Sequence, residues 1–206
     1  YDNATSVNRQ IINHLLHDAF PEKEETADEV DLVLEPNPEK ERIEEVLGKY
    51  PFKDLPRTYK LLMDLATERS FFLSSRRCRL FLASIAQELL QYLAVTPDPD
   101  AALVQLGKVS DSLGGKGLLW ELFSSNPPSM KLYVRLCAYA PYLCDMLTSH
   151  PGMIDGLMDG LALDRLPSQE TLRATLADLC RGASNADVIL HSFKNDQQLR
   201  VGAMDV

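Results

Sequence analysis

The sequence lacks the features that mark membrane or secreted proteins. No run of about 18 apolar residues is present, so no transmembrane helix is predicted. The first residues, YDNATSVNRQ, lack the basic region and apolar core of a signal peptide. The chain also begins without methionine and ends inside a helical pattern. We therefore expect it to be part of a longer protein.

Cysteine is scarce, and its spacing does not indicate a metal site or a disulfide framework. No CxxC pair occurs, and the histidines show no matching zinc-ligand spacing. We expect reduced thiols in a helical core, which is typical of a cytoplasmic protein. His14 and His17 lie three residues apart on one helical face and are interpreted as a surface pair. The cysteines are Cys78, Cys137, Cys144 and Cys180.

An excess of basic residues is also missing. The net charge is −9, and residues 1–50 hold 13 acidic against 5 basic residues. The remainder holds 17 acidic and 16 basic residues. Because phosphate binding requires a basic face, nucleic acid is not expected as a partner. We interpret the acidic part as a solvated, partly mobile segment, and we expect flexibility chiefly within residues 21–40.

Three short patterns resemble motifs of phosphate-transferring enzymes, but none of them matches such a motif in full. Glu29 and Asp31 have the acid-x-acid spacing of a two-metal site, but no Gly-Ser turn precedes them and no second strand follows. We expect at most a short extended segment at 30–34. Asp98 and Asp100 repeat the spacing, although helix capping explains them. The glycines around Lys116 do not match GxxxxGK[ST] and predict a tight turn between helices.

Helical periodicity, by contrast, runs through the whole chain. The longest segment, 75–94, carries an apolar stripe wide enough for a central helix covered on several sides. The single tryptophan, Trp120, is expected in the core. Three short helices at 126–159 each begin at a proline, a position that needs no amide donor. The stripe of the 75–94 helix contains Leu80, Phe81, Ile85, Leu89 and Leu93. In the first of the three short helices, the apolar stripe contains Leu132, Leu136 and Tyr139.

About ten helices are predicted, joined by turns marked with proline or glycine. This pattern indicates an all-α fold, an irregular bundle of antiparallel neighbours. We predict a division into an acidic N-terminal helix and linker, 1–50, and a helical domain, 51–206. Besides those named above, helices are predicted at 6–20, 38–47, 56–70, 99–113, 118–123, 168–181 and from 185 or 187 onward. Their boundaries follow capping residues and prolines.

Exposed basic residues are the candidates for an interface. Arg76, Arg77 and Arg79 crowd the first turn of the 75–94 helix, where the helix dipole favours anions. They are expected to pair with the acidic segment or a partner domain, or to bind a phosphate. The further candidates for an interface with a domain or partner are Lys131, Arg135, Lys194 and Arg200.

Several stretches resemble the bacterial glutamine synthetase adenylyltransferase family. They are RRCRLFLASIAQELLQYLAVTPDPDAAL, then LGGKGLLWELFSSNPPSMKLYVRLCAYAPYLCDMLTSHPGMIDGLMD, then FKNDQQLRVGAMDV. The APYL segment at 140–143, the LTSHPGMID segment at 147–155, and Phe193-Lys194 with Leu199-Arg200-Val201 match the pattern of that family's central helical region. The resemblance covers residues 70–206.

The resemblance implies a segment between two nucleotidyltransferase domains, one of which adds AMP to glutamine synthetase while the other removes it. The family's catalytic signature, a Gly-Ser turn followed by Asp-x-Asp, is not found in this sequence. The segment is therefore expected to contain no catalytic, cofactor or metal residue, and to couple the two active sites. ATP and Mg²⁺ are implied for the whole enzyme, with glutamine synthetase and the PII signalling protein as partners. The resemblance also implies that glutamine and PII are the effectors that set the balance between the two reactions.

Two alternatives remain open at this stage. The chain could be an independent helical adaptor that binds a partner protein. It could also be a self-contained enzyme that uses Glu29 and Asp31, or Asp98 and Asp100, with a metal.

Overall fold

The chain is helical throughout the part that the structure describes. A computed structural model describes residues 27–68, 73–154 and 166–206; ten helices and no strand lie within these ranges. They are α1 Asp28–Leu34, α2 Lys40–Leu47, α3 Leu55–Leu65, α4 Ser75–Ala94, α5 Pro99–Ser112, α6 Lys116–Ser125, α7 Pro127–Tyr139, α8 Pro141–Ser149, α9 Gln169–Cys180 and α10 Ala186–Asp205. The predicted all-α class is confirmed. The helix predicted at 6–20 lies outside the described residues.

Most helices begin and end where the sequence supplies a cap. Asp98 accepts a hydrogen bond from the Ala101 amide at 3.2 Å, and Ser168 accepts one from the Thr171 amide at 3.1 Å. Beyond α9, Gly182 has φ of +77°, the left-handed conformation that glycine adopts without strain. The helices predicted from these signals are confirmed to within a few residues.

Consecutive helices α6, α7 and α8 are joined by single residues. Asn126 ends α6 and begins α7, while Ala140 ends α7 and begins α8. Their backbone angles are similar, with φ of −141° and −125° and ψ of 78° and 64°. Each precedes a proline, which disfavours a helical conformation at that residue. The third proline-marked helix begins after His150, and its continuation lies outside the described ranges.

Helix α4 is the centre of the core. It packs against α1, α5, α6 and α7, and eight of its residues are buried. Trp120 on α6 is fully buried, and its indole nitrogen donates to the Leu65 carbonyl at 3.1 Å. The Phe123 ring lies between Trp120 and Tyr133, with centroid distances of 5.9 and 5.3 Å. The predicted core position of the tryptophan is confirmed.

The extended segment expected at 30–34 is wrong, because these residues belong to α1. Glu29, Leu32 and Val33 are buried on one face, at spacings of three and four. Short apolar runs do not distinguish a strand from a helix, and packing against α4 decides the outcome here. Tyr50 and Phe52 follow α2 and dock against the body.

Two residues of the predicted apolar stripes face solvent instead. Leu80 is 51% exposed, since it lies on the side of α4 opposite the buried stripe. Tyr139 is 53% exposed in the last turn of α7. Helical periodicity predicts approximately which side of a helix a residue lies on. It does not predict how much of that side the neighbouring helices cover.

The last two helices are far less buried than the others. Helix α9 has no buried residue, and α10 has one, Leu199. Helix α10 meets α8 at Gly202, where an added Cβ would come within 2.5 Å of Leu143 Cδ1. Helices α1 and α2, in contrast, pack against α4 and α3. The division of the chain at residue 50 stays a prediction.

Candidate functional site

The acid pair in α1 is not arranged as a metal site. Glu29 is 5% exposed and accepts a hydrogen bond from the Tyr50 hydroxyl at 2.7 Å. Asp31 is exposed, and residues two apart on a helix do not face each other. Burial and then the Glu29 carboxylate raise the pKa of Tyr50 above its usual value. Glu29 therefore binds the loop that contains Tyr50 to α1.

The second acid pair caps α5, as its position before a proline predicts. Asp98 accepts from the Ala101 amide and lies 3.4 Å from Lys53 Nζ, while Asp100 accepts from the Lys53 amide at 3.1 Å. The Ala101 amide, and then Lys53, lower the pKa of Asp98. These carboxylates thus bind the loop before α3 to the start of α5.

No group of three potential metal ligands forms within residues 27–68, 73–154 and 166–206. The four cysteines are free; Cys78, Cys137 and Cys144 are buried, whereas Cys180 is half-buried. Burial raises the pKa of Cys78 to about 11, which makes its thiol a poor nucleophile at neutral pH.

Lys116, in the glycine-rich turn, lies in the core. Its side chain is 5% exposed, and its amino group donates to the carbonyls of Asp64 at 2.7 Å and Thr67 at 3.1 Å. The Asp111 carboxylate lies 2.5 Å away. Lys116 thereby joins the ends of α3 and α5 to the start of α6. The sequence predicts the turn but not this burial, because only tertiary packing brings the three helix ends together.

The three arginines at the start of α4 have different surroundings. Arg77 donates to both oxygens of Glu121 at 2.8 and 2.7 Å and lies 5.4 Å from the centre of the Phe81 ring. It therefore connects α4 to α6 within the body. Arg76 is exposed and Arg79 is half-buried.

Two further candidate cations lie on the outside of α7. Lys131 and Arg135 are exposed, one helical turn apart, and neither forms an ion pair among the described residues. Tyr139 continues this face, and Tyr142 follows on α8 with 63% exposure.

Helix α10 is apolar on two opposite sides. Leu199, Ala203 and Val206 face the core. Leu190, Val201 and Met204, which we call the outer face of α10, are 44%, 50% and 50% exposed. A helix that is apolar all round is normally covered on both sides.

The remaining two candidate cations lie near the outer face of α10. Lys194 is exposed, and its position along the helix places it on that face. Arg200 is half-buried, and its buried Nε atom has no hydrogen-bond partner among the described residues. A buried donor without an acceptor is costly, so this position favours a further group that accepts its hydrogen bond.

An open cavity of about 680 Å³ lies between α10 and the turn after α8. His150, His191 and Asp196 line it, together with Met153 and Val188. Burial raises the pKa of Asp196, while His150 acts in the opposite direction. The cavity thus contains the polar side chains of two histidines and one aspartate, but they do not form a recognisable catalytic arrangement.

The candidate interface residues therefore lie on three helices, α4, α7 and α10. Two features were missed by the sequence reasoning: the buried lysine and the outer face of α10. The outer face of α10 does have a signal in the sequence. Apolar residues occur at 190, 201 and 204 as well as at 199, 203 and 206, which lie on the opposite side of the helix.

Comparison with known proteins gives a consistent set of relatives. The chain is 28% identical over 174 residues to the bifunctional glutamine synthetase adenylyltransferase/adenylyl-removing enzyme of Thioalkalivibrio sulfidiphilus, which covers 81% of this chain and 18% of that protein. The enzyme of the same name from Xanthobacter autotrophicus is 26% identical over 177 residues, covering 84% of this chain and 18% of its own length. That of Shewanella oneidensis is 30% identical over 139 residues, covering 63% and 14%.

The chain therefore spans less than a fifth of the length of these curated relatives. No family model matches the chain. No solved structure matches it either. Among the described residues, no helix has the length and apolar character needed to cross a membrane.

Proposed function

Because this chain is related to the bifunctional glutamine synthetase adenylyltransferase/adenylyl-removing enzymes over most of its length, we propose that it is a non-catalytic helical segment of such an enzyme. It couples the site that adds AMP to glutamine synthetase with the site that removes it. The whole enzyme uses ATP and Mg²⁺, and its partners are glutamine synthetase, the PII signalling protein and the flanking catalytic domains of the same chain.

The outer face of α10 is the observation that carries this proposal. A well-packed body around α4 ends in two helices whose apolar side chains are largely uncovered. In proteins, most of the stability of a helix comes from the packing of its apolar side chains against neighbouring elements. Leu190, Val201 and Met204 are therefore expected to pack against a neighbouring domain of the enzyme.

Both acid pairs make structural contacts, which supports a coupling role over a catalytic one. AMP transfer requires carboxylates that hold metal ions on a rigid element. Glu29 instead binds Tyr50, and Asp98 caps α5, so neither acid pair is available for that task. A segment that contacts both catalytic domains can shift their relative activities through differential packing.

The first test compares the chain alone with the complete protein. We expect the isolated chain to show no AMP transfer to or from glutamine synthetase with ATP and Mg²⁺. Turnover by the isolated chain that is lost on Asp31→Ala would contradict the proposal.

The gene sequence after codon 206 should encode a Gly-Ser turn followed by Asp-x-Asp, whereas a stop codon there would favour an independent adaptor.

The second test uses the complete protein with Val201→Glu. A charge on the outer face of α10 should separate it from the neighbouring domain. We expect both half-reactions to remain within about twofold of wild type, while the response of their ratio to glutamine and PII falls at least about fivefold. The matched control is Val95→Glu, the same substitution at a residue that is 79% exposed just after α4. An unchanged response in the Val201 variant would contradict the coupling role.

A further inference from the structure

Two of the four cysteines lie together where α7 meets α8. Cys137 is in the last turn of α7 and Cys144 is in the first turn of α8, with the single-residue link at Ala140 between them. Cys137 is 4% exposed and Cys144 is fully buried. Of the other two, Cys78 is on α4 and Cys180 is on α9. The junction of α7 and α8 is therefore the place where two thiols of this chain meet.

The sulfur of Cys144 lies beside the backbone of Cys137. Its thiol donates a hydrogen bond to the Leu136 carbonyl oxygen at 3.4 Å, and the carbon of that carbonyl is bonded to the Cys137 amide nitrogen. The two thiols are also hydrogen-bonded to each other. A disulfide joins its sulfurs at about 2 Å. Side-chain rotation and a small movement at the link would bring this pair to that distance.

The surroundings of the two thiols assign them different chemical roles. The hydrogen bond from Cys137 lowers the pKa of Cys144, and burial opposes this effect. The same hydrogen bond, and then burial, raise the pKa of Cys137. The thiolate is the form of cysteine that attacks a peroxide or a disulfide. Cys144 is therefore the attacking sulfur, and Cys137 is the thiol that completes the bond.

We propose that Cys137 and Cys144 form a reversible disulfide that fixes the angle between α7 and α8, with a hydroperoxide as the oxidant. The Cys144 thiolate attacks one oxygen of hydrogen peroxide, the O–O bond breaks, and the hydroxide released takes up a proton to form water. The Cys137 sulfur then attacks the sulfenic sulfur of Cys144. The S–O bond breaks, and a second water leaves with the proton of Cys137.

The electrons of this reaction balance within the named reactants. The two sulfurs together lose two electrons, and these reduce one peroxide to two water molecules. A small dithiol reverses the reaction by thiol–disulfide exchange and is itself oxidised to a disulfide. Hydrogen peroxide is little larger than water, so brief local opening at the junction is sufficient to admit it.

The bond would act on the one residue that separates the two helices. In the reduced protein, the angle between α7 and α8 depends on the backbone torsions of Ala140. A disulfide from Cys137 to Cys144 closes a ring that contains Ala140, so those torsions lose their freedom. The two helices would then move as one body. The disulfide requires no contact with another domain and is independent of the proposed coupling function.

The test is treatment of the folded 206-residue chain with hydrogen peroxide, followed by alkylation of the remaining thiols in denaturant. Trypsin leaves both cysteines in one peptide, residues 136–165, because no lysine or arginine lies between these ends. We expect this peptide to become lighter by two hydrogen atoms and to escape alkylation, while Cys78 is still alkylated. Dithiothreitol should restore the original peptide.

Serine variants separate the roles of the two thiols. Cys137→Ser should stop the reaction at the sulfenic acid of Cys144, which a dimedone probe traps. Cys144→Ser should give neither the disulfide nor the trapped product. Cys180→Ser is the matched control, because it removes a thiol from α9 and should leave formation of the disulfide unchanged. Circular dichroism should show the same helix content for all variants before oxidation.

Hydrogen exchange then tests the mechanical effect. Oxidation should slow amide exchange around the Ala140 link at least about tenfold, and Cys144→Ser should show no such change. Unchanged exchange in the oxidised protein would overturn the fixed angle. Formation of the disulfide only in denaturant, or loss of all four thiols at one rate, would show that oxidation follows unfolding and would overturn the proposal.

Discussion

At the scale of single residues, Lys116 is the position with the largest structural consequence. Its amino group satisfies two helix-end carbonyls and one carboxylate in a buried site. Removing one member of a buried ionic group leaves the other without compensation, which costs more than the pair itself contributes. The sequence marks the residue only by its glycine neighbours, which predict a turn and say nothing about the depth of the side chain.

Lys116→Met should destabilise the chain by about 3–5 kcal/mol, because Asp111 and the carbonyls of Asp64 and Thr67 lose their donor. Urea denaturation followed by circular dichroism measures the change. Lys60→Met on the exposed side of α3 is the control and should change stability by less than about 0.5 kcal/mol. A Lys116 variant as stable as the control would mean that solvent replaces the lost contacts without cost.

At the scale of elements, helix boundaries are the part of the fold that the sequence predicts best. Prolines, Asp98, Ser168 and Gly182 act through local geometry, which needs no knowledge of the partner helices. Helix α1 is the counterexample, since its apolar run fits a strand or a helix and only its packing on α4 decides between them. The same reason explains Leu80: periodicity predicts a face, and the neighbours decide its exposure.

The turn between α5 and α6 offers a clean test of backbone geometry. Gly114 has φ of +73°, and an added Cβ would meet nothing within 4 Å. Gly114→Ala should therefore cost about 1–2 kcal/mol through backbone strain alone.

The control for this variant is Gly152→Ala. An added Cβ there also meets nothing within 4 Å, and its φ is not positive. This variant should be neutral or stabilising by about 0.4–1 kcal/mol. Equal free energies of unfolding for the two variants would show that the turn relaxes out of the left-handed conformation.

At the scale of the whole molecule, burial is distributed unevenly from one end to the other. The body around α4 and α6 contains the largest fully buried side chains, while α9 has no buried residue. Sequence patterns predict ten similar helices and do not reveal this difference. Such a difference depends on which apolar faces find a partner, and for α10 only one of the two faces does within the described residues.

Hydrogen exchange should follow this gradient. We expect amides of α4 to exchange slowest and those of α9 fastest, by at least about a hundredfold, because local opening of α9 exposes little apolar surface. Mass spectrometry of the chain at two concentrations makes the comparison. Equal protection of α4 and α9 at both concentrations would contradict the gradient. In the complete protein, protection of α9 and α10 should rise.

The links at Asn126 and Ala140 have a mechanical consequence. Only one residue separates each pair of neighbouring helices in this series. A rotation of α8 relative to α6 therefore requires changes in the backbone torsions of Ala140 and Asn126. Proline after each link restricts those torsions further. A displacement of α10 at its contact between Gly202 and Leu143 would therefore move α8 and α7 together. It would change the position of α7 against α6, close to Trp120.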